Sequence, residues 1–217
     1  MAVDSQFWIK AWNEGRTAFH QEEYHEKLIE YFPQLKPSEG QRVLVPLCGK
    51  SKDLLCLHEL KLRVHGIELH EKAVESFFTE NKLSPVTKER DQDFIHYTYK
   101  NIVISSGDFF KLNETNSYDL VYDRAALVAL PSDLRKKYTK VLKQLLKPGG
   151  KYLLIAYEYD QTKMEGPPFS VEESEVRKLY GDQFKIKLLE RERPGNEGAR
   201  LLAVESLTQT VYLMVRK

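Results

Sequence analysis

The chain has 217 residues, and its 33 Lys plus Arg against 32 Asp plus Glu give a net charge of +1. Because a near-neutral chain lacks the basic surface that nucleic acids and anionic membranes attract, we expect neither as a partner. Two cysteines, Cys48 and Cys56, are too few for a disulfide scaffold or a zinc cluster. The first residues lack a signal-peptide pattern, and no apolar run approaches the ~20 residues of a membrane span. These features predict a cytoplasmic protein.

Aromatic residues are frequent in the first part of the chain, which predicts a helical cap over 4–36 with a turn at Asn13-Glu-Gly15. Strand patterns then alternate with helix patterns, while 81–93 is polar and predicts a loop. The predicted strands are 42–47, 64–69, 96–99, 102–104, 118–123, 152–157, 184–191 and 207–216. Ser51, Ser132 and Ser170 are expected to cap helices, of which the last two end near 145 and 180. A further helix is predicted over 71–80, and Leu60 is expected on the buried face of the helix after Ser51.

This order of elements predicts the fold class. Alternating strands and helices that end in two successive strands are typical of a Rossmann-like class I methyltransferase fold. We expect a seven-stranded, mostly parallel sheet with an antiparallel C-terminal strand pair and an N-terminal helical cap. The chain would be one α/β domain, with a cap or lid over 1–38 and a core over 39–217.

The strand at 42–47 and the one after it form the segment that points to a ligand. The first runs into Pro46-Leu-Cys-Gly-Lys50, and the second ends on Glu68, 19 residues after Gly49. An acid at this place in a βαβ unit can accept hydrogen bonds from ribose hydroxyls. The Gly-x-Gly-x-x-Gly pattern for a pyrophosphate is absent, which favours a nucleoside without phosphates, such as S-adenosylmethionine. The alternative is that Glu68 is an ordinary acid in the first turn of a helix.

The turn itself offers further candidates. Gly49 would let the backbone approach a ligand closely, and Leu47 would present its backbone at the strand end. Lys50 lacks the spacing of a phosphate-binding loop and is expected to be a surface charge. Cys48 has no base in an obvious partner position, so we interpret it as a small buried residue rather than a nucleophile.

Two later strand ends carry candidate side chains. After the strand at 102–104, Asp108 could bind the exocyclic amine of an adenine and Phe109 could lie against the ring; the alternative is a polar turn before a core aromatic. Arg124 follows Asp123 at the carboxyl edge, where α/β proteins bind ligands. It is either a functional donor or half of an ion pair with Asp123.

Trp8, Trp12 and Phe19 in the cap could line a pocket beside a sulfonium, where cation–π attraction contributes about 0.5–2 kcal/mol. The alternative is simple packing of a cap helix.

Several motifs together resemble the thiopurine S-methyltransferase family. They are, in chain order, Phe7-Trp-x-x-x-Trp12, Gly15-Arg-Thr-Ala-Phe-His-Gln21, Pro46-Leu-Cys-Gly-Lys50, Gly66-Ile-Glu68, Asp123-Arg-Ala-Ala-Leu-Val-Ala129 and Gly166-Pro-Pro-Phe169. The similarity runs from about residue 7 to 180. It departs in the C-terminal region, where the family has a longer charged segment before its last strand.

The resemblance implies a monomeric, cytoplasmic enzyme that uses S-adenosylmethionine to methylate sulfur on thiopurines and other aromatic or heterocyclic thiols. Bacterial relatives are also linked to selenium and tellurium methylation. By matching position, the implied cofactor contacts are Trp12, Leu47, Glu68 and Arg124, with Trp8 in the same lid and Asp108 and Phe109 by the adenine. The implied acceptor contacts are Phe19, Arg124 and, as the nearest match to a family arginine, Arg193.

Three other functions stay open at this point. The first is a class I methyltransferase for another small acceptor, such as a halide, an aliphatic thiol or a selenium or tellurium species. The second is an NAD-dependent oxidoreductase, which the missing Gly-x-Gly-x-x-Gly pattern disfavours. The third is a nucleoside-binding module that binds S-adenosylmethionine without turnover.

Overall fold

The computed structural model describes residues 5–16, 20–195 and 199–217. The helices are α1 (Ser5–Asn13), α2 (Glu26–Tyr31), α3 (Asp53–Glu59), α4 (Glu71–Glu80), α5 (Ser132–Leu145), α6 (Glu173–Tyr180) and α7 (Ala199–Leu202). The strands are β1 (Arg42–Pro46), β2 (Arg63–Glu68), β3 (Thr87–Arg90), β4 (Ile95–Tyr99), β5 (Ile102–Ser106), β6 (Tyr118–Arg124), β7 (Leu146–Glu158), β8 (Phe184–Glu192) and β9 (Thr208–Arg216). Short 3-10 turns cover Phe32–Leu35, Phe109–Lys111 and Leu127–Ala129.

In the described part of the chain, the strands form one nine-stranded sheet in the order β3-β4-β5-β2-β1-β6-β7-β9-β8. Strands β5, β2, β1, β6 and β7 run parallel, and β9 pairs antiparallel with both β7 and β8. The predicted fold class is confirmed, but the expected count of seven strands, which matches the sheet from β5 to β8, is too low. The strand predicted over 96–99 is β4 and lies beyond β5. The antiparallel hairpin of β3 and β4 extends that sheet to nine strands.

Strand β3 lies within 81–93, where the sequence predicts a loop, so that prediction is wrong. All four of its residues are exposed, and none of them is apolar. A strand that buries neither face leaves no alternation of apolar and polar residues for a pattern to detect. Its charged side chains protect the sheet edge from pairing with other strands.

Both faces of the sheet are covered, and the alternation along β1 shows how. Leu44 belongs to one buried cluster, together with Leu142 of α5 and Val176 of α6. Val43 and Val45 point to the opposite cluster, which includes side chains of α3, α4 and the 3-10 turn that begins at Phe32. A parallel sheet covered on both faces brings the carboxyl ends of its strands to one accessible edge. Among the described residues, no helix is both long and apolar enough to cross a membrane.

Two of the predicted helix caps are wrong. Helix α5 begins at Ser132 itself, after Pro131 at the cap position, and no side chain caps it. Helix α6 follows Glu172, while the Ser170 hydroxyl accepts a hydrogen bond from the backbone N–H of Tyr159. Serine hydroxyls can bond to several nearby backbone groups, so tertiary contacts decide which one they serve.

Helix α3 starts two residues after Ser51, whose Oγ accepts from the Asp53 N–H at 3.2 Å. Leu54 and Leu57 are fully buried, as expected. Leu60 is 44% exposed, so its placement on the buried face is wrong. The helix ends at Glu59, and Leu60 lies in the turn that follows.

The second half of the predicted cap is fixed to the core. The backbone N–H of His25 donates to Asp53 Oδ1 at 2.8 Å. Buried Lys27 lies 2.7 Å from Glu190 of β8, and the Tyr31 hydroxyl donates to the same carboxylate at 2.6 Å. Buried, paired charges of this kind tie α2 to the sheet. These contacts hold α2 against the core, while the lid over 1–38 stays a prediction.

A chain of hydrogen-bonded polar side chains runs across the sheet from Tyr118 of β6, through His65 of β2, to His96 of β4. His65 Nδ1 lies 2.6 Å from the Tyr118 hydroxyl, and His65 Nε2 lies 2.7 Å from Ser105 Oγ. Ser105 Oγ also lies 2.7 Å from His96 Nδ1, whose other ring nitrogen contacts Asp91 at 3.0 Å. Burial lowers the pKa of His65 to about 4.

The pKa of His65 makes folding sensitive to pH. Below about pH 6.5 the unfolded chain takes up a proton at this residue, while the folded chain resists until about pH 4. We therefore expect this histidine to cost the wild-type protein about 3 kcal/mol of unfolding free energy as the pH falls across that window. This loss is measured by urea unfolding of the wild type and of His65→Gln at pH 7.5 and at pH 4, and the variant should lose less unfolding free energy than the wild type. Equal losses in the two proteins would contradict the assignment.

Candidate functional site

The turn after β1 is built from two left-handed residues. Leu47 has φ +46° and Gly49 has φ +55°, so the chain reverses sharply at the carboxyl end of the strand. A Cβ at Gly49 would lie 3.3 Å from the indole of Trp12. Glycine thus meets two requirements here, the backbone conformation and the close approach of α1.

Glu68, the last residue of β2, closes this turn. Its side chain is buried, Oε2 accepts from the Gly49 N–H at 2.8 Å, and Oε1 accepts from the His70 N–H at 2.9 Å. Burial raises the pKa of Glu68, and the same two N–H groups oppose that rise. The N–H of Leu69 opposes the rise as well, and the carboxylate oxygens are acceptors that a ribose hydroxyl could use. Since helix α4 begins only at Glu71, the alternative of a first-turn helix acid is wrong.

Helix α1 lies over the turn. Trp12 is buried, and its ring is nearly parallel to that of His70, at 6.4 Å between centroids and 27° between planes. Trp8 packs edge-on against Phe7 at 5.2 Å between ring centroids. The structure therefore brings Trp12 to Glu68 and Gly49, and leaves the predicted cofactor contact of Trp8 a prediction. Phe19 lies outside the described residues.

The segment after β5 carries the two side chains that are predicted to contact an adenine. Asp108 is half-buried, and its Oδ1 accepts from the Phe110 N–H at 2.9 Å, which caps the 3-10 turn. Phe109 is 1% exposed and packs 4.9 Å from the ring of Tyr138. Its ring packs in the core, which favours the alternative of a core aromatic, and its contact with an adenine stays a prediction. An adenine contact by Asp108 stays a prediction.

Asp123 organises the carboxyl end of β6. The buried carboxylate accepts from the backbone N–H groups of Ala126 at 3.2 Å and Leu127 at 3.1 Å. It also accepts from the hydroxyls of Tyr138 and Tyr152. Burial raises the pKa of Asp123, and the two tyrosine hydrogen bonds oppose that rise. A buried carboxylate with four donors is satisfied in place and fixes the turn that follows it.

Arg124 is presented by that turn. It is half-buried at the end of β6, and the next residue, Ala125, has φ +66°. The oxygens of Asp123 already accept from Ala126, Leu127 and two tyrosines. This favours a functional role for Arg124 over an ion pair with its neighbour. Because β2 and β6 both flank β1, Arg124 and Glu68 lie at the same edge of the sheet.

Arg193 has a different role from the one predicted. Its guanidinium donates to the backbone carbonyls of Leu202 at 2.6 Å, Val204 at 3.1 Å and Glu205 at 2.7 Å. These bonds satisfy carbonyls at and after the end of α7, where a cation is also favoured by the helix dipole. These three bonds support a structural role for Arg193, and its contact with an acceptor stays a prediction.

The loop after β7 lies next to the Arg124 segment. The Phe169 N–H donates to the carbonyl of Val128 at 2.6 Å, and the Tyr159 hydroxyl donates to the carbonyl of Pro168. Met164 in the same loop is buried. The Gly166-Pro-Pro-Phe169 motif therefore forms a wall beside the carboxyl end of β6.

Comparison with known proteins identifies the family of the chain. The family model described as "Thiopurine S-methyltransferase (TPMT)" matches residues 3–217. The chain belongs to the thiopurine S-methyltransferase family. A thiopurine S-methyltransferase of Nitrosomonas eutropha is 42% identical over 218 residues, covering 99% of both chains. One of Vibrio cholerae is 44% identical over 177 residues, covering 82% of this chain and 81% of the relative.

Solved structures of lower identity share the fold of this family member. A Burkholderia thailandensis 1,6-didemethyltoxoflavin-N1-methyltransferase, solved with S-adenosylhomocysteine, superposes with a TM-score of 0.69 at 16% identity, covering 99% of this chain and 88% of that one. The magnesium protoporphyrin IX methyltransferase of Synechocystis gives a TM-score of 0.69 at 13% identity, covering 98% and 99%. The predicted resemblance, the methyltransferase activity and S-adenosylmethionine as methyl donor are confirmed by the family assignment.

Sequence reasoning missed two residues that shape this site. His70 bonds to Glu68 through its backbone and lies beside Trp12 through its ring. Asp53 joins α3 to the segment before α2 and accepts from the Tyr122 hydroxyl at 2.9 Å. The position of His70, two residues after the acid at the end of β2, was a usable signal. Asp53 gave none, since an acid in the first turn of a helix is common.

Glu68→Gln tests whether Glu68 belongs to the site for the methyl donor, called the donor site below. The substitution keeps the size of the side chain but removes the charge that strengthens its hydrogen bonds, which are worth about 1.5–3 kcal/mol each. We expect the Kd for S-adenosylhomocysteine to rise about 10- to 100-fold in calorimetry. Glu80→Gln, which alters an exposed carboxylate paired with Lys50, is the control. An unchanged Kd for Glu68→Gln would remove this residue from the site.

Tyr152→Phe tests the support of Asp123. Removing the hydroxyl withdraws one donor from a buried carboxylate, so we expect a loss of about 1–3 kcal/mol in the free energy of unfolding. Tyr180→Phe is the matched control, because the Tyr180 hydroxyl lies 3.1 Å from that of Tyr152 rather than on the carboxylate. Urea denaturation compares the variants, and an equal loss in both would contradict the special role of Tyr152.

Proposed function

We propose that this protein transfers the methyl group of S-adenosylmethionine to the sulfur of thiopurines and other aromatic or heterocyclic thiols. The observation that carries the proposal is the buried Glu68 carboxylate, bound to the Gly49 turn, at the same sheet edge as Arg124. Membership of the thiopurine S-methyltransferase family supports the choice of sulfur as the methylated atom.

The residues at this edge fit the methyl donor. The Glu68 carboxylate is an acceptor, which suits the two ribose hydroxyls. The turn at Leu47 and Gly49 places backbone groups beside it, and the missing Cβ at Gly49 lets Trp12 approach the turn closely. Trp12 supplies an aromatic wall, which suits a sulfonium cation. When bound, S-adenosylmethionine supplies a methyl group that is already activated for transfer.

Direct transfer needs little chemistry from the protein. A thiol loses its proton far more readily than an alcohol, so the acceptor needs no strong base. Arg124 would favour the thiolate, since a nearby positive charge lowers the pKa of an acid. Holding acceptor and donor in near-attack geometry can supply roughly 7–11 kcal/mol of the barrier.

Cys48 fits this mechanism as a bystander. Burial raises the pKa of the Cys48 thiol well above its usual range, so the nucleophilic thiolate is disfavoured. Its Sγ would lie 2.7 Å from a Cβ at Gly66, which places the side chain in the packing beneath the turn. A covalent intermediate on this residue is therefore no part of the proposal.

A panel of acceptors tests the proposed reaction. S-Adenosylhomocysteine production is measured with a mercaptopurine, thiophenol, an aliphatic thiol, selenite and iodide. We expect turnover on the mercaptopurine and thiophenol. Turnover on the aliphatic thiol, selenite or iodide alone would replace the proposed acceptor class, and donor binding without any turnover would overturn it.

Arg124→Lys tests the acceptor side. Lysine keeps the charge but loses the planar guanidinium, so we expect a higher KM for the thiol, or a lower kcat, by about 10-fold, the effect of roughly 1.4 kcal/mol. Binding of S-adenosylmethionine should weaken less. Arg216→Lys is the control, because Arg216 binds Asn116 and the carbonyl of Leu146, near the starts of β6 and β7 and away from Arg124; it should leave the acceptor KM unchanged. Equal kinetics in wild type and Arg124→Lys would reject the role.

We also propose a monomeric, cytoplasmic protein that acts without a nucleic acid partner. The support is the resemblance to the family and the net charge of +1. Light scattering during size-exclusion chromatography tests the monomer, for which the chain mass is 25.3 kDa. A mass near twice that value would contradict it.

A further inference from the structure

His70 joins two parts of the donor site that are far apart in sequence. Its backbone N–H donates to Glu68 Oε1 at 2.9 Å. Its ring Nε2 lies 3.1 Å from Oδ1 of Asn13, the last residue of α1. One residue therefore contacts both the buried carboxylate and the helix that covers it.

The ring of His70 also supports Trp12. The two rings lie 6.4 Å apart at 27°, and the Trp12 indole covers Gly49. Burial lowers the pKa of His70, which keeps the imidazole neutral at neutral pH, with one donor and one acceptor nitrogen. Since Asn13 Oδ1 accepts, Nε2 carries the proton.

We propose that His70 is a positioning residue that couples closure of α1 to the binding of the methyl donor. Its bond to Asn13 holds Trp12 over the Gly49 turn, and its backbone holds the Glu68 carboxylate in the orientation that faces a ribose. The inference rests on the proposed function in placing the ribose at Glu68. By linkage, a methyl donor whose ribose binds Glu68 also favours the closed position of α1.

The coupling predicts a specific kinetic effect. The bond between His70 and Asn13, called the latch below, holds α1 over the bound nucleoside. Loss of the latch should therefore raise the dissociation rate of the nucleoside. A neutral hydrogen bond of ordinary strength corresponds to about a 2- to 10-fold change. The KM of the thiol should stay unchanged, because neither Asn13 nor His70 lies beside Arg124 in sequence or at the same strand end.

The experiment is a double-mutant cycle on S-adenosylhomocysteine release, followed by tryptophan fluorescence in stopped flow, with Kd from calorimetry. The variants are Asn13→Ala, His70→Phe and their combination, because phenylalanine keeps a planar ring and the backbone N–H but has no donor. We expect each single variant to raise the dissociation rate about 2- to 10-fold and the double variant to add nothing further.

Two additional variants separate a latch from simple packing. His70→Gln can present an amide N–H near the place of Nε2, so it should restore slow release. His58→Phe changes a histidine that packs by Tyr99 at 6.3 Å, outside the site, and should release S-adenosylhomocysteine as the wild type does. Should His70→Phe fail to fold, Asn13→Ala alters an exposed residue at a helix end and carries the test alone.

The outcomes distinguish the latch from the donor site. Additive effects of Asn13→Ala and His70→Phe, or wild-type release rates in both, would overturn the latch while leaving the donor site in place. A wild-type protein that does not bind S-adenosylhomocysteine would overturn the proposed donor site and the latch with it.

Discussion

The hydrogen bonds of one buried carboxylate, Glu68, determine the shape of the ligand edge. A carboxylate can be removed from water only if donors replace the water, and here the donors are backbone N–H groups from two separate turns. The turn at Gly49 and the start of the segment at His70 are thereby held at fixed positions relative to β2. Without the carboxylate, both turns would lose their common partner.

A second buried carboxylate is held by hydrogen bonds in the same way on the other side of β1. Asp123, buried at the end of β6, accepts from two backbone N–H groups and two tyrosine hydroxyls, and it fixes the turn that presents Arg124. The parallel order of β2, β1 and β6 brings these two strand ends to one edge. Hydrogen bonds from the protein itself therefore hold both strand ends in place, and a site held in this way needs less reorganisation in the transition state.

Much of this arrangement could be predicted because it depends on local pattern. The fold class followed from the order of apolar runs along the chain. The spacing from Gly49 to Glu68 indicated the carboxyl edge of the sheet as the place for the methyl donor, and helix α4 was predicted at its observed bounds. The errors concern tertiary contacts. Strand β3 has no apolar face, and Ser170 bonds to Tyr159 instead of its own helix. Phe109 has the composition of a ligand contact, yet it is buried against Tyr138, which only the packing of α5 could show.

The most direct test of the account is a crystal structure of the protein with S-adenosylhomocysteine. The account predicts that the ribose hydroxyls bind the two oxygens of Glu68, while the backbone N–H groups of Gly49 and His70 keep their bonds to the same carboxylate and Trp12 covers the ligand. A ligand bound with its ribose away from Glu68, or a Glu68 side chain turned from the Gly49 turn, would contradict it.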